Sequence, residues 1–250
     1  MNTAIVGNGV IGQATANLFG IKKRYDRNPT KSNCRLDDVY NCEFIFICLP
    51  TPISNGRLFT DNIAKITRKL AVKGKTIVII RSTVWPGFAD SLAMDNVVSN
   101  PEFLSEDKAQ QDIENPPFVL IGANNLQVRE KVAGLYKSLR RNIPLILTDN
   151  ISAEAGKLAL NGFFSSKVIY ANQIYDMCHQ IGANYESVRK VLESHPFGYK
   201  NHADVWFKQK RGVRGRCLPK DLEGLANFTN LPLFSKLKEI NDKIIGKEGK

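Results

Sequence analysis

A chain of 250 residues with 43% hydrophobic and 24% charged residues is long enough for a sizeable core and has the make-up of an ordinary soluble globular protein. Its longest apolar runs, such as residues 44–50, have strand length. The N-terminus, Met1-Asn-Thr-Ala-Ile-Val-Gly7, shows no basic segment leading into an apolar one, so the expectation is a cytoplasmic protein with no membrane contact. The net charge of +11 is uneven: residues 199–220 hold seven Lys/Arg against one Asp, a patch that attracts anions. Trp206 and Phe207 lie inside it, but no known nucleic-acid module surrounds them, so a phosphorylated small molecule ranks above nucleic acid.

Residues 3–6 are short, apolar and β-branched and read as a buried strand. Gly7-Asn-Gly9-Val10-Ile11-Gly12 follows at once, and a helical pattern starts at Gln13. This is the G-x-G-x-x-G turn in its required setting, strand before and helix after. Its glycines allow a tight turn, close backbone approach to a pyrophosphate, and close packing of helix on strand. The next strand, near residues 21–25, ends at Asp26, nineteen residues after Gly7, where a carboxylate would bind the adenosine ribose hydroxyls. That favours NAD over NADP.

Further buried strands are expected at 43–49, 75–80, 97–99, 118–121 and 144–147, with helices at 61–71 and 126–140 between them. Strand and helix in alternation predict an α/β fold with a parallel, doubly wound Rossmann-type sheet over residues 1–149. Ligands bind at the carboxyl ends of such strands. The polar turns 7–12, 50–52, 82–87 and 100–106 are therefore the expected site-lining loops. After residue 149 the pattern becomes helical. One long helix is expected over 152–182, opened by Ser152 and Glu154, with Lys157 and Asn161 one turn apart on one face. Residues 150–250 form the second predicted region: that helix, a second over 185–194, an aromatic and basic loop, and closing helices at 222–228 and 234–245.

The five cysteines (Cys34, Cys42, Cys48, Cys178 and Cys217) contain no CxxC pair and no Cys/His cluster, which excludes a disulfide framework and a zinc centre. Cys217 stands apart from the others. It lies between Arg211-Gly-Val-Arg-Gly-Arg216 and Leu218-Pro-Lys-Asp221, with Arg214, Arg216 and Lys220 as nearby cations. Cations favour the thiolate, which is the reactive form, and Asp221 adds a carboxylate that can handle a proton.

Six segments in order resemble the UDP-glucose/GDP-mannose dehydrogenase family. They are the Gly7–Gly12 turn, Leu49-Pro-Thr-Pro52, Ser82-Thr-Val-x-Pro-Gly87, Asn100-Pro-Glu-Phe-Leu-x-Glu106, Ser152-Ala-Glu-x-x-Lys157-x3-Asn161, and Cys217-Leu-Pro-Lys-Asp221. The resemblance implies oxidation of a nucleotide-sugar primary alcohol to the acid with two NAD+, UDP-glucose being the default substrate and surface polysaccharide the destination of the product. It implies that Cys217 forms a thiohemiacetal and then a thioester. Lys157 and Asn161 would stabilise the oxyanion, and Thr83, Glu102, Glu106 and Asp221 would handle water and protons. Cofactor contacts would come from Gly7, Gly9, Val10, Ile11, Gly12, Asp26, Pro50, Thr51 and Thr83. Substrate contacts would come from Glu102, Phe103, Leu104, Lys157, Asn161, Gly212, Arg214 and Gly215. Pairing of relatives through the long helix implies a homodimer through residues 152–182.

The chain also departs from the family pattern. The turn before the cysteine, usually Gly-Phe-Gly-Gly-Ser, is Gly212-Val-Arg-Gly-Arg216 here. Pro116-Pro-Phe118 stands where relatives tend to carry Pro-Asp-Arg. Only 29 residues follow Asp221, too few for the third domain of relatives. The expectation is a short form in which Lys208, Lys210, Arg211, Arg214 and Arg216 replace part of the lost diphosphate contacts. Two other readings stay open. One is a two-electron dehydrogenase of the 3-hydroxyacid or 6-phosphogluconate type. The other is a dinucleotide-binding protein without catalysis.

Overall fold

A computed structural model describes residues 2–71, 76–139, 142–199 and 201–246, with the side chain of Glu106 left outside the described set. The chain divides into two units, one of residues Met1–Thr51 and Phe59–Lys157, the other of Pro52–Leu58 and Leu158–Lys250.

In the first unit, β1 (Thr3–Val6), β3 (Phe44–Ile47) and β6 (Ile77–Ile80) are buried along their whole length. Their side chains alternate between two layers. Phe44, Phe46, Ile77 and Ile79 enter one apolar cluster, while Ile45, Ile47, Val78 and Ile80 enter another. A strand with apolar residues at every position suits a sheet covered on both faces. The covering helices include α1 (Val10–Phe19), α2 (Asp61–Ala71) and α5 (Leu126–Leu139). The remaining strands are β2 (Lys23–Tyr25), β7 (Val97–Ser99), β8 (Val119–Gly122) and β9 (Leu145–Thr148), and α3 (Phe88–Ser91) and α4 (Ala109–Glu114) are short.

The strand order is β2-β1-β3-β6-β7-β8-β9. Since β1 lies between β2 and β3, the chain runs outward in opposite directions from it. A crevice then opens at the carboxyl ends of β1 and β3, where dinucleotides bind in such sheets. The expected all-parallel sheet needs one correction: β7 pairs with β8 antiparallel, through Ser99 and Gly122. The segment between them, short helix and proline-rich turn included, returns the chain without a full crossover. Such a reversal leaves no periodicity in the sequence to announce it.

The second unit is helical apart from a hairpin of β4 (Ile53–Ser54) and β5 (Arg57–Leu58), which the sequence reading missed. Asn55 and Gly56 take positive φ at its turn, as an Asn-Gly hairpin turn requires. α6 (Asn150–Ile181) has 32 residues, and its first eight belong to the first unit by the division above. It starts two residues before the expected Ser152. Asp149 is the group that caps it, accepting from Ser152 N at 2.7 Å and Ser152 Oγ at 3.0 Å, and the Ser152 backbone bond holds its carboxyl below the ordinary value. α7 (Tyr185–Ser194) follows, capped by Asn184. α8 (Leu218–Thr229) and α9 (Pro232–Gly246) pair through a left-handed Asn230. At Gly162 on α6 an added Cβ would lie 2.8 Å from Leu225, so glycine allows α8 to approach closely.

Candidate active site

The glycine turn after β1 is held by backbone contacts. Gly7 has φ 96°, and a Cβ there would lie 2.5 Å from the Cys48 carbonyl oxygen. A Cβ on Gly12 would lie 1.9 Å from the Gly7 oxygen. Gly9 differs, with nothing within 4 Å of its Cβ position. That is the open side a pyrophosphate needs. The first turn of α1 carries no acidic residue and no side-chain cap, so its unpaired N–H groups and dipole favour an anion. Asp26 is fixed over the turn, accepting from Asn8 N and from Asn28 N at 2.8 Å each. Asn8 Oδ1 is buried without a hydrogen-bond partner. A tight turn, an open Gly9, an orphaned amide oxygen and a fixed carboxylate together fit a dinucleotide with free ribose hydroxyls. Of the other residues expected at the cofactor, Val10 and Pro50 are exposed, Ile11 and Thr83 are half-buried, and Thr51 is buried.

The loop after β7 and the end of the first unit's share of α6 bring two ionisable groups together. Lys157 Nζ lies 3.8 Å from Glu102 Oε1, with side chains 6% and 10% exposed. It also sits 5.0 Å from the centre of the Phe103 ring. That separation is an ion pair without a hydrogen bond, so the ammonium donors stay available to a ligand oxygen. Glu102 Oε2 accepts from Leu104 N at 2.6 Å, which fixes the carboxylate. Glu106 opens a short turn, and its side chain lies outside the described residues.

In the second unit Cys217 is exposed at the N-terminal end of α8. One turn on, Asp221 is fully buried, accepts from Asn161 Nδ2 at 2.5 Å, and pairs with Lys220 Nζ. The sequence placed Asn161 toward substrate, whereas its amide here donates to Asp221. Such donors compensate a carboxylate that has lost its water. Gly212 and Gly215 both have φ 85°. Gly212 packs on α9, where Val213 N donates to Asn241 Oδ1 at 2.7 Å, and Gly215 faces open space.

The basic stretch is less uniform than its sequence suggests. The Arg211 guanidinium binds Asp176 at 2.7 Å, donates from Nε and Nη2 to Asn172 at 3.0 Å, and lies over the Tyr175 ring. It is committed to α6, which weakens the idea that it replaces a diphosphate contact. Arg214 Nε donates to the Arg211 carbonyl.

Glu154, expected only to open the long helix, is a clamp. It is 2% exposed and accepts from Gly87, Phe88 and Ala89 N–H groups and from Ser99 Oγ at 2.7 to 3.0 Å. It thereby ties α6 to the turn that carries Thr83, although burial pushes its carboxyl up. Its place three residues before Lys157 was the available signal. Cys217 is exposed, whereas burial pushes the Cys48 thiol up to about 12, which keeps it protonated at neutral pH.

The sheet order and glycine turn define a Rossmann-type dinucleotide-binding protein. The NAD binding domain of the UDP-glucose/GDP-mannose dehydrogenase family matches residues 20–140, and the central domain of the same family matches residues 151–243. The chain belongs to this family, and NAD is the cofactor its first unit fits. It is 32% identical over 230 residues to a UDP-glucose 6-dehydrogenase of Bacillus subtilis, covering 84% of this chain and 50% of that protein. The chain spans about half the length of the curated relatives it matches. Its fold is similar to a UDP-glucose dehydrogenase structure from Pyrobaculum islandicum, with a TM-score of 0.85, 21% identity, and 96% and 68% of the two chains covered. It is also similar to a 3-hydroxyisobutyrate dehydrogenase structure from Mycobacterium tuberculosis, with a TM-score of 0.75, 15% identity, and 97% and 93% covered.

Proposed function

We propose that the protein oxidises the primary alcohol of a nucleotide sugar to the carboxylate, in two steps, without releasing the aldehyde. The observation that carries this reading is Cys217 at the start of α8 with Asp221 one turn behind it, held by Asn161 and Lys220. NAD+, when bound at the glycine turn, supplies the hydride acceptor for each oxidation. The alcohol loses a hydride and a proton and becomes an aldehyde. The Cys217 thiolate then attacks the carbonyl carbon, and the new C–S bond gives a thiohemiacetal whose oxygen takes up a proton. A second hydride and that proton leave, and a thioester remains. Water adds, the C–S bond breaks, and the carboxylate departs as the thiol is restored. One alcohol and one water thus yield one acid and two NADH. A covalent tether is what retains the aldehyde between the two oxidations.

Lys157 takes the role of oxyanion donor, because its ammonium has a carboxylate beside it but no hydrogen bond. Glu102 is its counter-charge and a proton acceptor. Asp221 orients water and proton for the thiol chemistry, and Asn161 acts on Asp221. Thr83, with the turn clamped by Glu154, completes the set, and Gly212, Arg214 and Gly215 are assigned to the sugar. UDP-glucose is the first substrate to test, with a product feeding polysaccharide synthesis. A homodimer through α6 is supported by Phe163, Tyr170 and Met177, exposed by 57, 51 and 42% and spaced seven residues apart. A cytosolic setting is supported by a mechanism that needs a reduced thiol.

The test is NADH counted per substrate consumed, across UDP-glucose, GDP-mannose, UDP-N-acetylated sugars and simple hydroxyacids. Two NADH per nucleotide sugar are expected. The second reading, a two-electron hydroxyacid dehydrogenase, is favoured by the nearly complete overlay on the 3-hydroxyisobutyrate dehydrogenase structure, 97% and 93% of the two chains. It gives one NADH from a hydroxyacid and survives Cys217→Ala. Binding of NAD with no NADH from any of them would leave the non-catalytic reading.

A further inference from the structure

Within the first unit, behind the loop that carries Glu102, lies a cavity of about 200 Å³. Its walls come from Leu18 on α1, Ile113 on α4, Phe118 before β8 and Phe103 after β7, so it is mostly apolar. Arg81, the residue following β6, lines it and is 5% exposed. A guanidinium stays charged in any protein setting, and a buried charge is costly unless it is paired. Arg81 Nη1 donates to Asn100 Oδ1 and Tyr136 Oη at 2.8 Å each, and both partners are neutral. Nε is buried with no partner. Among the described residues no carboxylate lies within ion-pair distance of the group. The two carboxylates on the wall are already engaged: Asp112 accepts from Ser105 N and Oγ, and Glu102 accepts from Leu104 N and pairs with Lys157.

A buried cation with an unused Nε donor at an apolar cavity calls for a single negative charge on a small apolar body. We propose that this cavity binds a small organic carboxylate, with the carboxylate on Arg81 and the hydrocarbon among Leu18, Phe103, Ile113 and Phe118. The cavity borders the site assigned to catalysis and shares Glu102, Phe103 and Leu104 with it, while Arg81, Leu18, Ile113 and Phe118 have no part in that assignment. A ligand here would contact the back of the Glu102–Leu104 loop, which makes it a candidate regulator of the Glu102–Lys157 pair.

The test uses the full chain without NAD or sugar nucleotide, so it does not depend on the proposed reaction. Benzoate, benzyl alcohol, inorganic phosphate and chloride are titrated by calorimetry, with thermal shift alongside. Benzoate is expected to bind saturably at one site per chain. Benzyl alcohol, which lacks the charge, and phosphate, which lacks the apolar body, are expected to bind about tenfold more weakly or worse. Arg81→Gln should weaken benzoate by about tenfold or more, and Leu18→Phe, which fills the cavity without touching the cation, should abolish binding. If Arg81→Gln does not fold, Leu18→Phe alone decides. The proposal is overturned if benzoate does not bind, if benzyl alcohol or phosphate binds equally well, or if benzoate binding survives Leu18→Phe.

Discussion

The molecule has two glycine turns that serve anionic ligands in this reading, and they are built on different terms. In the turn after β1, Gly7 and Gly12 face backbone at distances no Cβ tolerates, and only Gly9 is open. In the turn before α8, Gly212 meets the end of a side chain at 3.0 Å and Gly215 meets nothing. The first is fixed by packing and so keeps the spacing of its motif. The second is held by positive φ and, at Gly212, by side chains of α9 rather than by backbone, and the residues between and after its glycines can change, as Arg214 and Arg216 show. A turn locked by backbone contact specifies a cofactor, and a turn held by positive φ and side-chain contact leaves room for a substrate to be altered.

The strongest way to break this contrast lies beside the second turn. Cys217→Ser should reduce acid formation by at least about a thousandfold while NAD binding, followed by calorimetry, is unchanged. Loss of both together would contradict the division of labour. Gly12→Ala should destabilise the first unit by about 3 kcal/mol and abolish NAD binding, read by thermal melting and calorimetry. Gly215→Ala should cost about 1 kcal/mol through its positive φ, lower the melting temperature by a few degrees at most, and raise the sugar KM with little change in that for NAD. The smallest effect concerns Glu154. Burial raises its folded carboxyl above the ordinary glutamate value, so the stability linked to its protonation is fully present below that ordinary value. It is lost as pH rises through the folded value. Glu154→Gln cannot reproduce four accepted bonds and should be less stable throughout. The gap to wild type should narrow as pH rises across that window, measured by urea titration.

Much of this was legible in the sequence, for physical reasons. Buried strands carry unbroken apolar runs, and the glycine turn has a fixed spacing, so the sheet, the turn and Asp26 could be read directly. The antiparallel β7–β8 junction could not, because strand direction leaves no mark on composition. The hairpin at 53–58 was missed because its strands have two residues each, too short for any period. The partners of charged groups were also hidden. Arg211 on Asp176, Asp221 on Asn161, and Glu154 on three backbone N–H groups all join residues distant in the chain. Charge counting saw only a basic stretch, while the fold spends part of that charge internally.

The hairpin of β4 and β5 bears on how the chain is made. It belongs to the second unit, and Asn227 Nδ2 on α8 donates to Gly56 O across 171 residues of sequence. At about 5 to 20 residues per second, a ribosome releases the hairpin roughly 10 to 30 s before its helical partner exists. Through that interval the first unit can close its sheet around an excursion whose Leu58 has no cover. Leu158 and Leu225, which bury it, come later. Chaperone capture or slow translation near the start of α8 would therefore act on this seven-residue segment more than on either core.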